Sequence, residues 1–224
     1  QLKKEIKNFA GSAPLREKDG AAHGHLGLGL FRTHRLLVFL LLAIVATQIL
    51  AAVADLSFQT TLKDAIPAKD ERNAWSGNFY LGLNAAAAVG QFVLAPLLLR
   101  FAPLTVVHLL LPLLNMAACA WLLAEPSLAS AGTAYLVFKS LDYSLFRSAK
   151  ELLYIPFSFD VRYRAKEVID VFGYRAGKGG TSLLIVLLQG AKVVFTTPIY
   201  AAMAIVAACV WLAAILPAVR AYCT

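Results

Sequence analysis

Charged side chains are scarce in this 224-residue sequence, since Asp, Glu, Lys and Arg make up 15% of it while 59% of the residues are hydrophobic. Soluble domains are typically about one quarter charged, so this composition argues for a bilayer as the solvent. Cysteine is also rare, and Cys119, Cys209 and Cys223 have neither paired nor metal-ligand spacing. The sequence therefore argues against a disulfide framework and leaves the redox compartment open.

The sequence also lacks the residue groups that enzymes use. It contains no nucleophile triad, paired catalytic carboxylate or metal-ligand cluster, so we expect no enzyme, no cofactor and no metal. Residues 177–181, Gly-Lys-Gly-Gly-Thr, resemble a phosphate-binding P-loop, but the four-residue gap before Gly-Lys and the Ser or Thr directly after it are missing. His23 and His25 in Ala-His-Gly-His are interpreted as part of a flexible loop.

Long apolar runs dominate the rest of the chain. Four runs contain no acidic or basic side chain except His108, and each approaches or exceeds the roughly 20 residues that a helix needs to cross the hydrocarbon core. They are residues 36–54, 80–99, 104–124 and 193–219. We predict one transmembrane helix from each run.

Two further runs are apolar but interrupted by charges. Residues 131–154 carry five charged side chains, and residues 168–191 carry three near their start. Charges in a membrane helix usually face a bundle interior or a water-filled cavity, so we expect these two helices to line such an interior or cavity. The sequence thus predicts an all-α integral membrane protein with six transmembrane helices, with a basic polar tail at residues 1–32 and a six-helix domain at 33–224. The predicted spans are about 35–58, 76–100, 103–124, 130–154, 166–191 and 193–220.

Basic residues are distributed unequally between the two sides of this bundle. Sixteen of the 21 Lys and Arg residues fall on one side and four on the other, with Lys139 inside a span. The richer side carries the N-terminal segment, Arg100, the stretch from Arg147 to Lys178, and Arg220. The positive-inside rule then places both termini in the cytoplasm or its organelle equivalent. The net charge of +8 reflects this asymmetry, so we expect no nucleic-acid partner.

The fourth predicted span places cations in a column. On a helix at 100° per residue, spacings of four, four and three put one set of side chains on a single face: Lys139, Tyr143, Arg147 and Lys150. Such cations replace the hydration of phosphate groups, and neighbouring carboxylates keep the cations from binding the anion too tightly to release it. A pathway for a polyanion needs this arrangement. For Arg147 and Lys150 the alternative is an interface charge whose head reaches the lipid headgroups.

Three carboxylates accompany the predicted helices. Asp142 is interpreted as the intramembrane partner of Lys139, in either a working or a purely structural pair. Glu151 lies four residues after Arg147, where an ion pair is favourable. Asp55, at the end of the first run, either faces a cavity or caps its helix at the outer interface.

Smaller features predict contacts and boundaries of helices. Gly173 and Gly177 have the Gly-x-x-x-Gly spacing that permits close helix contact. Asn84 and Gln91 share a helix face, and interhelical hydrogen bonds explain them. Pro156 is expected to end or kink the fourth span, with a short basic amphipathic helix after it.

Three segments have the order and spacing of motifs in a known family. They read Tyr143-Ser144-Leu145-Phe146, then Lys150-Glu151-Leu152-Leu153-Tyr154-Ile155-Pro156, then Ala165-Lys166-x-x-x-Asp170-x-x-x-x-Arg175-x-Gly177-Lys178-x-Gly180. Together they resemble the ATP/ADP translocase family, the nucleotide transporters of plastids and intracellular bacteria, and a weaker resemblance extends from about Arg35. The family often has Asp-Pro where this chain has Arg147-Ser148, and a small residue in place of Leu153. The similarity is closer to the uncharacterised bacterial branch.

The resemblance implies a fold, a partner and a set of site residues. The six spans would correspond to the second half of a twelve-helix transporter related to the major facilitator fold, and the start at Gln1 fits an upstream half. Members exchange ATP for ADP, or import nucleotides, by alternating access. Cations would hold phosphates and carboxylates would form state-dependent ion pairs. The resemblance assigns these roles to the pair Lys150 and Glu151 and to the cluster Lys166, Asp170, Arg175 and Lys178.

Two functional hypotheses follow. The first is a half transporter exchanging nucleotides or a related organic anion, in a bacterial inner membrane or, alternatively, an organelle membrane. Its partners would be the lipid bilayer, the anionic substrate, and a missing N-terminal half or second subunit. The second is a transporter-derived structural subunit of a larger membrane protein complex that moves nothing. A complete upstream half with its own charges would favour the first hypothesis, and a stable complex that fills the cavity would favour the second.

Overall fold

The computed structural model describes residues 29–155 and 157–223, and the side chains up to residue 220. Every secondary-structure element within those residues is helical. His23, His25, Pro156 and residues 1–28 of the predicted tail lie outside the described residues. The predicted all-α class is confirmed.

Six long helices follow one another through short connections in the described part of the chain. They are α1 (Arg35–Ala65), α2 (Lys69–Phe101), α3 (Leu104–Ala124), α4 (residues 128–152), α5 (residues 159–190) and α6 (Thr197–Cys223). A four-residue turn of helix, Leu30–Thr33, precedes α1. The predicted basic amphipathic helix after Pro156 corresponds to Phe159–Val168, which is the first part of α5 rather than a separate element.

Local sequence explains where α4 begins. Ser127 is its N-cap: the Ser127 hydroxyl accepts a hydrogen bond from the Ser130 backbone N–H at 3.2 Å, and the Ser130 hydroxyl accepts one from the Ser127 N–H at 3.1 Å. This reciprocal capping satisfies two N–H groups that a helix start would otherwise leave unpaired. It fixes the start of the helix that carries most of the charged column.

Four of the helices are long and apolar enough to cross a membrane: α1, α2, α3 and α6. They contain the uninterrupted apolar runs, except residues 193–196, which precede α6, and the prediction of an integral membrane protein is confirmed. The charged helices α4 and α5 have 25 and 32 residues, which at 1.5 Å per residue is more than the ~30 Å hydrocarbon core. That they also cross the membrane stays a prediction.

The core of the bundle is built from α1, α6 and α3. Small side chains allow α1 and α6 to approach closely, among them Ala43 and Ala46 on α1 and Ala204 and Ala208 on α6. Helix α4 packs against both α1 and α3. Helices α2 and α5 lie at the two flanks, where α2 packs on α4 and α5 packs on α1. The charged helices therefore lie beside α1, the most buried of the candidate spans.

Four five-residue segments of π-helix interrupt these helices: Gly90–Leu94 in α2, Asp142–Phe146 in α4, and Ile169–Gly173 and Arg175–Gly179 in α5. A π turn adds a residue, so it shifts the direction of the side chains that follow it, and such segments are frequent at functional sites. The segments of α2 and α4 touch, because a Cβ on Gly90 would lie 2.8 Å from the Ser144 Cβ. Three of these four segments thus lie in the charged helices α4 and α5, and the fourth contacts one of them.

The structure tests the smaller packing predictions. A Cβ on Gly173 would lie 3.0 Å from the Ile44 side chain, and one on Gly177 would lie 2.6 Å from the Gln48 Cβ, so the predicted close helix contact is confirmed and its partner is α1. The interhelical hydrogen bonds of Asn84 and Gln91 are wrong: both side chains are exposed and make none within the described residues. Both belong to α2, most of whose surface is not packed against the bundle.

Candidate functional site

Two ion pairs connect the end of α4 to the start of α5. The Lys150 Nζ lies 2.9 Å from the Asp170 Oδ1, and the Lys166 Nζ lies 2.8 Å from the Glu151 Oε2. Lys150 and Glu151 are adjacent, while Lys166 and Asp170 are one turn apart. Each helix therefore contributes one cation and one carboxylate, and the two pairs lie side by side.

The two pairs differ in burial. The Lys150 side chain is only 6% exposed, whereas those of Lys166 and Glu151 are 41% and 49% exposed. The Lys150 ammonium also lies 5.1 Å from the centre of the Tyr174 ring and 3.5 Å from its hydroxyl. An exposed pair contributes about 0–1 kcal/mol to stability, whereas removing one partner of a buried pair is costly. The Lys150 contacts therefore hold α4 and α5 together, and the outer pair opens easily.

A cation–aromatic stack lies further along α4. The Lys139 ammonium is 5.1 Å from the centre of the Tyr143 ring and donates a hydrogen bond to its hydroxyl at 3.3 Å. The Arg147 guanidinium lies over the same ring at 5.0 Å. Lys139 also lies 5.9 Å from the Tyr135 ring. Three members of the predicted column are thus adjacent.

The prediction that Lys150 belongs to this column is wrong. Arg147 is exposed, but Lys150 is buried against α5. The predicted face considered α4 by itself, whereas the Lys150 ammonium is held by Asp170 and Tyr174 of α5.

Two predicted ion pairs are also wrong. Asp142 is only 8% exposed, and its Oδ1 has no hydrogen-bond partner among the described residues, so it does not pair with Lys139. Lys139 turns instead to Tyr143, four residues on. Arg147 does not pair with Glu151, because Glu151 reaches Lys166 across the helix interface and Arg147 lies over Tyr143.

Asp55 brings α1 into the site. Its Oδ2 lies 3.9 Å from the Lys178 Nζ, and α1 continues past it to Ala65, so a role as a helix cap is wrong. Arg175 is exposed and makes no hydrogen bond or ion pair within the described part of the chain. The site therefore combines a carboxylate from α1 with charges from α4 and α5.

Sequence reasoning placed Tyr143 on the charged face but missed Tyr135 and Tyr174, and it left Asp55 outside the site. Tyr135 and Tyr174 both contact cations, and Tyr143 contacts two. The signal that could have found Tyr135 is a recurring spacing of four along α4. At that spacing aromatic rings and cations alternate: Tyr135, Lys139, Tyr143 and Arg147.

An aromatic cluster adjoins the cations at Tyr135. The Tyr135 ring stacks on Phe58 at 5.0 Å with an interplanar angle of 3°, and Phe58 stacks on Phe79 at 4.6 Å. Trp75 stacks on Phe79 at 5.3 Å. Stacked rings beside cations suit a ligand that has both an aromatic and an anionic part. No cluster of three or more His, Cys, Asp or Glu able to hold a metal occurs among the described residues.

The matched region of known proteins coincides with these helices. The family model described as TLC ATP/ADP transporter matches residues 129–222. The ADP,ATP carrier protein 1 of Rickettsia conorii is 31% identical over 81 residues, which are 34% of this chain and 16% of the carrier. The chloroplastic ADP,ATP carrier protein 1 of Arabidopsis thaliana is 36% identical over 78 residues, which are 34% of this chain and 12% of the carrier.

A further relative matches a shorter stretch. The ADP,ATP carrier protein 4 of Rickettsia bellii is 36% identical over 58 residues, which are 24% of this chain and 11% of that carrier. The aligned part of this chain thus spans a small fraction of each relative. No solved structure matches the chain. The charged helices α4 and α5 and the helix after them thus lie in the segment, residues 129–222, that is similar to the ATP/ADP transporter family.

Proposed function

We propose that this chain is the second half of a membrane transporter that exchanges nucleotides such as ATP and ADP, or a related organic anion, by alternating access. One observation carries the proposal. Three cations of the segment that matches the transporter family make no ion pair in the described part of the chain: Lys139, Arg147 and Arg175. A fourth, Lys178, lies 3.9 Å from the Asp55 carboxylate. Their charges are available to an anionic ligand.

Charge and geometry favour phosphate groups as that anion. Arginine and lysine bind phosphate through several charge-assisted hydrogen bonds, and a membrane interior strengthens each of these because little water competes. Lys139 and Arg147 now lie against a tyrosine ring, and a phosphate can replace such cation–π contacts at small cost. An anion can therefore take over Lys139 and Arg147 without breaking an ion pair.

The two pairs between α4 and α5 provide the conformational element of the proposal. Lys166 and Glu151 are exposed enough to exchange partners, while Lys150 and Asp170 anchor the contact. A phosphate near Lys166 competes with Glu151, so substrate binding weakens the outer pair. Alternation between substrate-bound and carboxylate-bound cations is the chemistry that an exchanger requires.

The membrane location and orientation extend this proposal. With all six helices crossing the membrane, the connections after α2 and α4 would lie on the side rich in Lys and Arg, and those after α1, α3 and α5 on the other. The positive-inside rule then puts both termini in the cytoplasm, with a bacterial inner membrane as the location.

Uptake of labelled nucleotide tests the function. The purified protein, with the polypeptides that copurify, is reconstituted into liposomes loaded with unlabelled ADP. We expect saturable uptake of labelled ATP that depends on the internal ADP. No uptake, together with a fixed set of large membrane partners in a mass-spectrometric inventory, would instead support the structural subunit.

Glu151→Gln should lower the exchange rate at least about tenfold without unfolding the protein. The substitution keeps the side-chain size but removes the charge that alternates with substrate, and an exposed pair of this kind contributes at most about 1 kcal/mol to stability. Exchange kinetics and thermal unfolding are measured in parallel. Glu167→Gln is the matched control, because Glu167 is exposed and forms no ion pair within the described residues. Normal exchange by the Glu151 variant would remove that carboxylate from the mechanism.

A further inference from the structure

Asp142 is a buried carboxyl group that the roles above leave without a function. It lies in the π segment of α4, it is 8% exposed, and its Oδ1 has no hydrogen-bond donor within the described residues. A buried carboxylate without donors is costly unless it is neutralised or surrounded by opposite charge. The ionisation of Asp142 therefore depends on the groups around it.

Those groups come from the helices packed around the π segment. The cations of its environment come from two helices: Lys139, Arg147 and Lys150 on α4, and Lys178 on α5. Tyr174 of α5 belongs to the same group through its contact with Lys150. Helix α2, which contacts the same segment through Gly90 and Ser144, has no ionisable side chain between Tyr80 and Arg100. On α1, Asp55 lies 3.9 Å from Lys178.

The cations that act on Asp142 include those assigned above to the anion. Burial disfavours the ionised carboxylate of Asp142, and the positive charges of Lys139, Arg147 and Lys178 offset this while the site is empty. When phosphate groups neutralise them, the carboxylate loses that support but remains buried. Uptake of one proton onto Asp142 then removes the unpaired negative charge.

We propose that Asp142 is a proton-binding site thermodynamically coupled to anion binding, so that nucleotide and proton enter the site together. This inference rests on the proposed function, because it requires an anion on these cations. Linkage is reciprocal: if binding takes up a proton, the affinity for the anion rises as the pH falls through the range in which Asp142 titrates. One linked proton changes the affinity by at most about tenfold per pH unit.

Calorimetry of the full chain in lipid nanodiscs tests the coupling. ADP is titrated at one pH in two buffers that differ in ionisation enthalpy, which gives the protons taken up per ADP bound. We expect the wild type to take up about one proton more than Asp142→Asn, which has nearly the same shape but does not titrate. Protonation of ADP itself contributes to both and cancels in the difference. Asp160→Asn is the matched control, because Asp160 pairs with Arg164 on the exposed start of α5, and it should behave as the wild type.

Infrared difference spectra recorded on addition of ADP provide a second readout, which is informative in the wild type even when a variant does not bind ADP. The wild type and Asp160→Asn should gain a protonated-carboxyl band that Asp142→Asn lacks. ADP binding with equal proton uptake in the wild type and Asp142→Asn, or without the band in the wild type, would overturn this inference and leave the proposed function standing. No binding of ADP or of inorganic triphosphate would overturn the proposed function and this inference with it.

Discussion

Gly177→Leu is expected to lower the thermal unfolding temperature of the protein by roughly 10 °C and to abolish uptake. A Cβ at this position would lie 2.6 Å from the Gln48 Cβ and 3.1 Å from the Val45 carbonyl oxygen. Because backbone atoms of α1 are involved, the clash is relieved only by separating α1 from α5. Overpacking costs about 1–3 kcal/mol, and in a protein of this size each kcal/mol corresponds to about 2–4 °C. Thermal unfolding in detergent gives the shift.

The same helix provides the control for this substitution. A Cβ on Gly179 would meet nothing within 4 Å, so Gly179→Leu adds the same side chain without a clash. It should leave the unfolding temperature unchanged or slightly higher, since leucine favours helix over glycine by up to ~1 kcal/mol. Equal unfolding temperatures for the two leucine variants would contradict the close contact of α5 with α1.

Lys150→Met is expected to destabilise the protein by about 2–3 kcal/mol and to abolish uptake. The substitution removes the Lys150 ammonium, which lies 2.9 Å from the Asp170 Oδ1, and leaves the Asp170 carboxylate without a partner for its charge. Breaking a buried pair costs about 3–5 kcal/mol, and the effect here is smaller because Asp170 is 34% exposed. Denaturant unfolding measures the loss of stability, and the liposome assay measures uptake.

A double variant separates the structural role of this pair from its transport role. Lys150→Met combined with Asp170→Leu removes both charges, and an apolar replacement of a buried pair is often as stable as the pair itself. We expect it to recover most of the lost stability but not the uptake, since the proposed exchange needs charges here. Lys63→Met, at an exposed position near the end of α1, is the control. Recovery of uptake in the double variant would show that the pair is only structural.

Periodicity predicted the spacing of four correctly but not the contacts made across helices. Lys139, Tyr143 and Arg147 lie together, as expected, whereas Lys150 pairs with Asp170 of α5. The Asp142 Oδ1 is buried without a hydrogen-bond partner among the described residues, in a π segment that the pattern did not predict. A side-chain pattern does not encode where one extra residue enters a helix, because that depends on the surfaces that pack around it.

The sequence by itself determined the membrane class, the apolar runs, the two charged helices and the resemblance to a transporter family, because these depend on composition, run length and short motifs. It also determined the glycine contact of α5, since close packing needs residues without a side chain at a fixed spacing. Only the tertiary structure decided which charges meet: Lys150 with Asp170, Glu151 with Lys166, and Lys178 near Asp55. These partners lie on different helices, and their pairing follows from helix rotation and burial, which no spacing along one helix specifies.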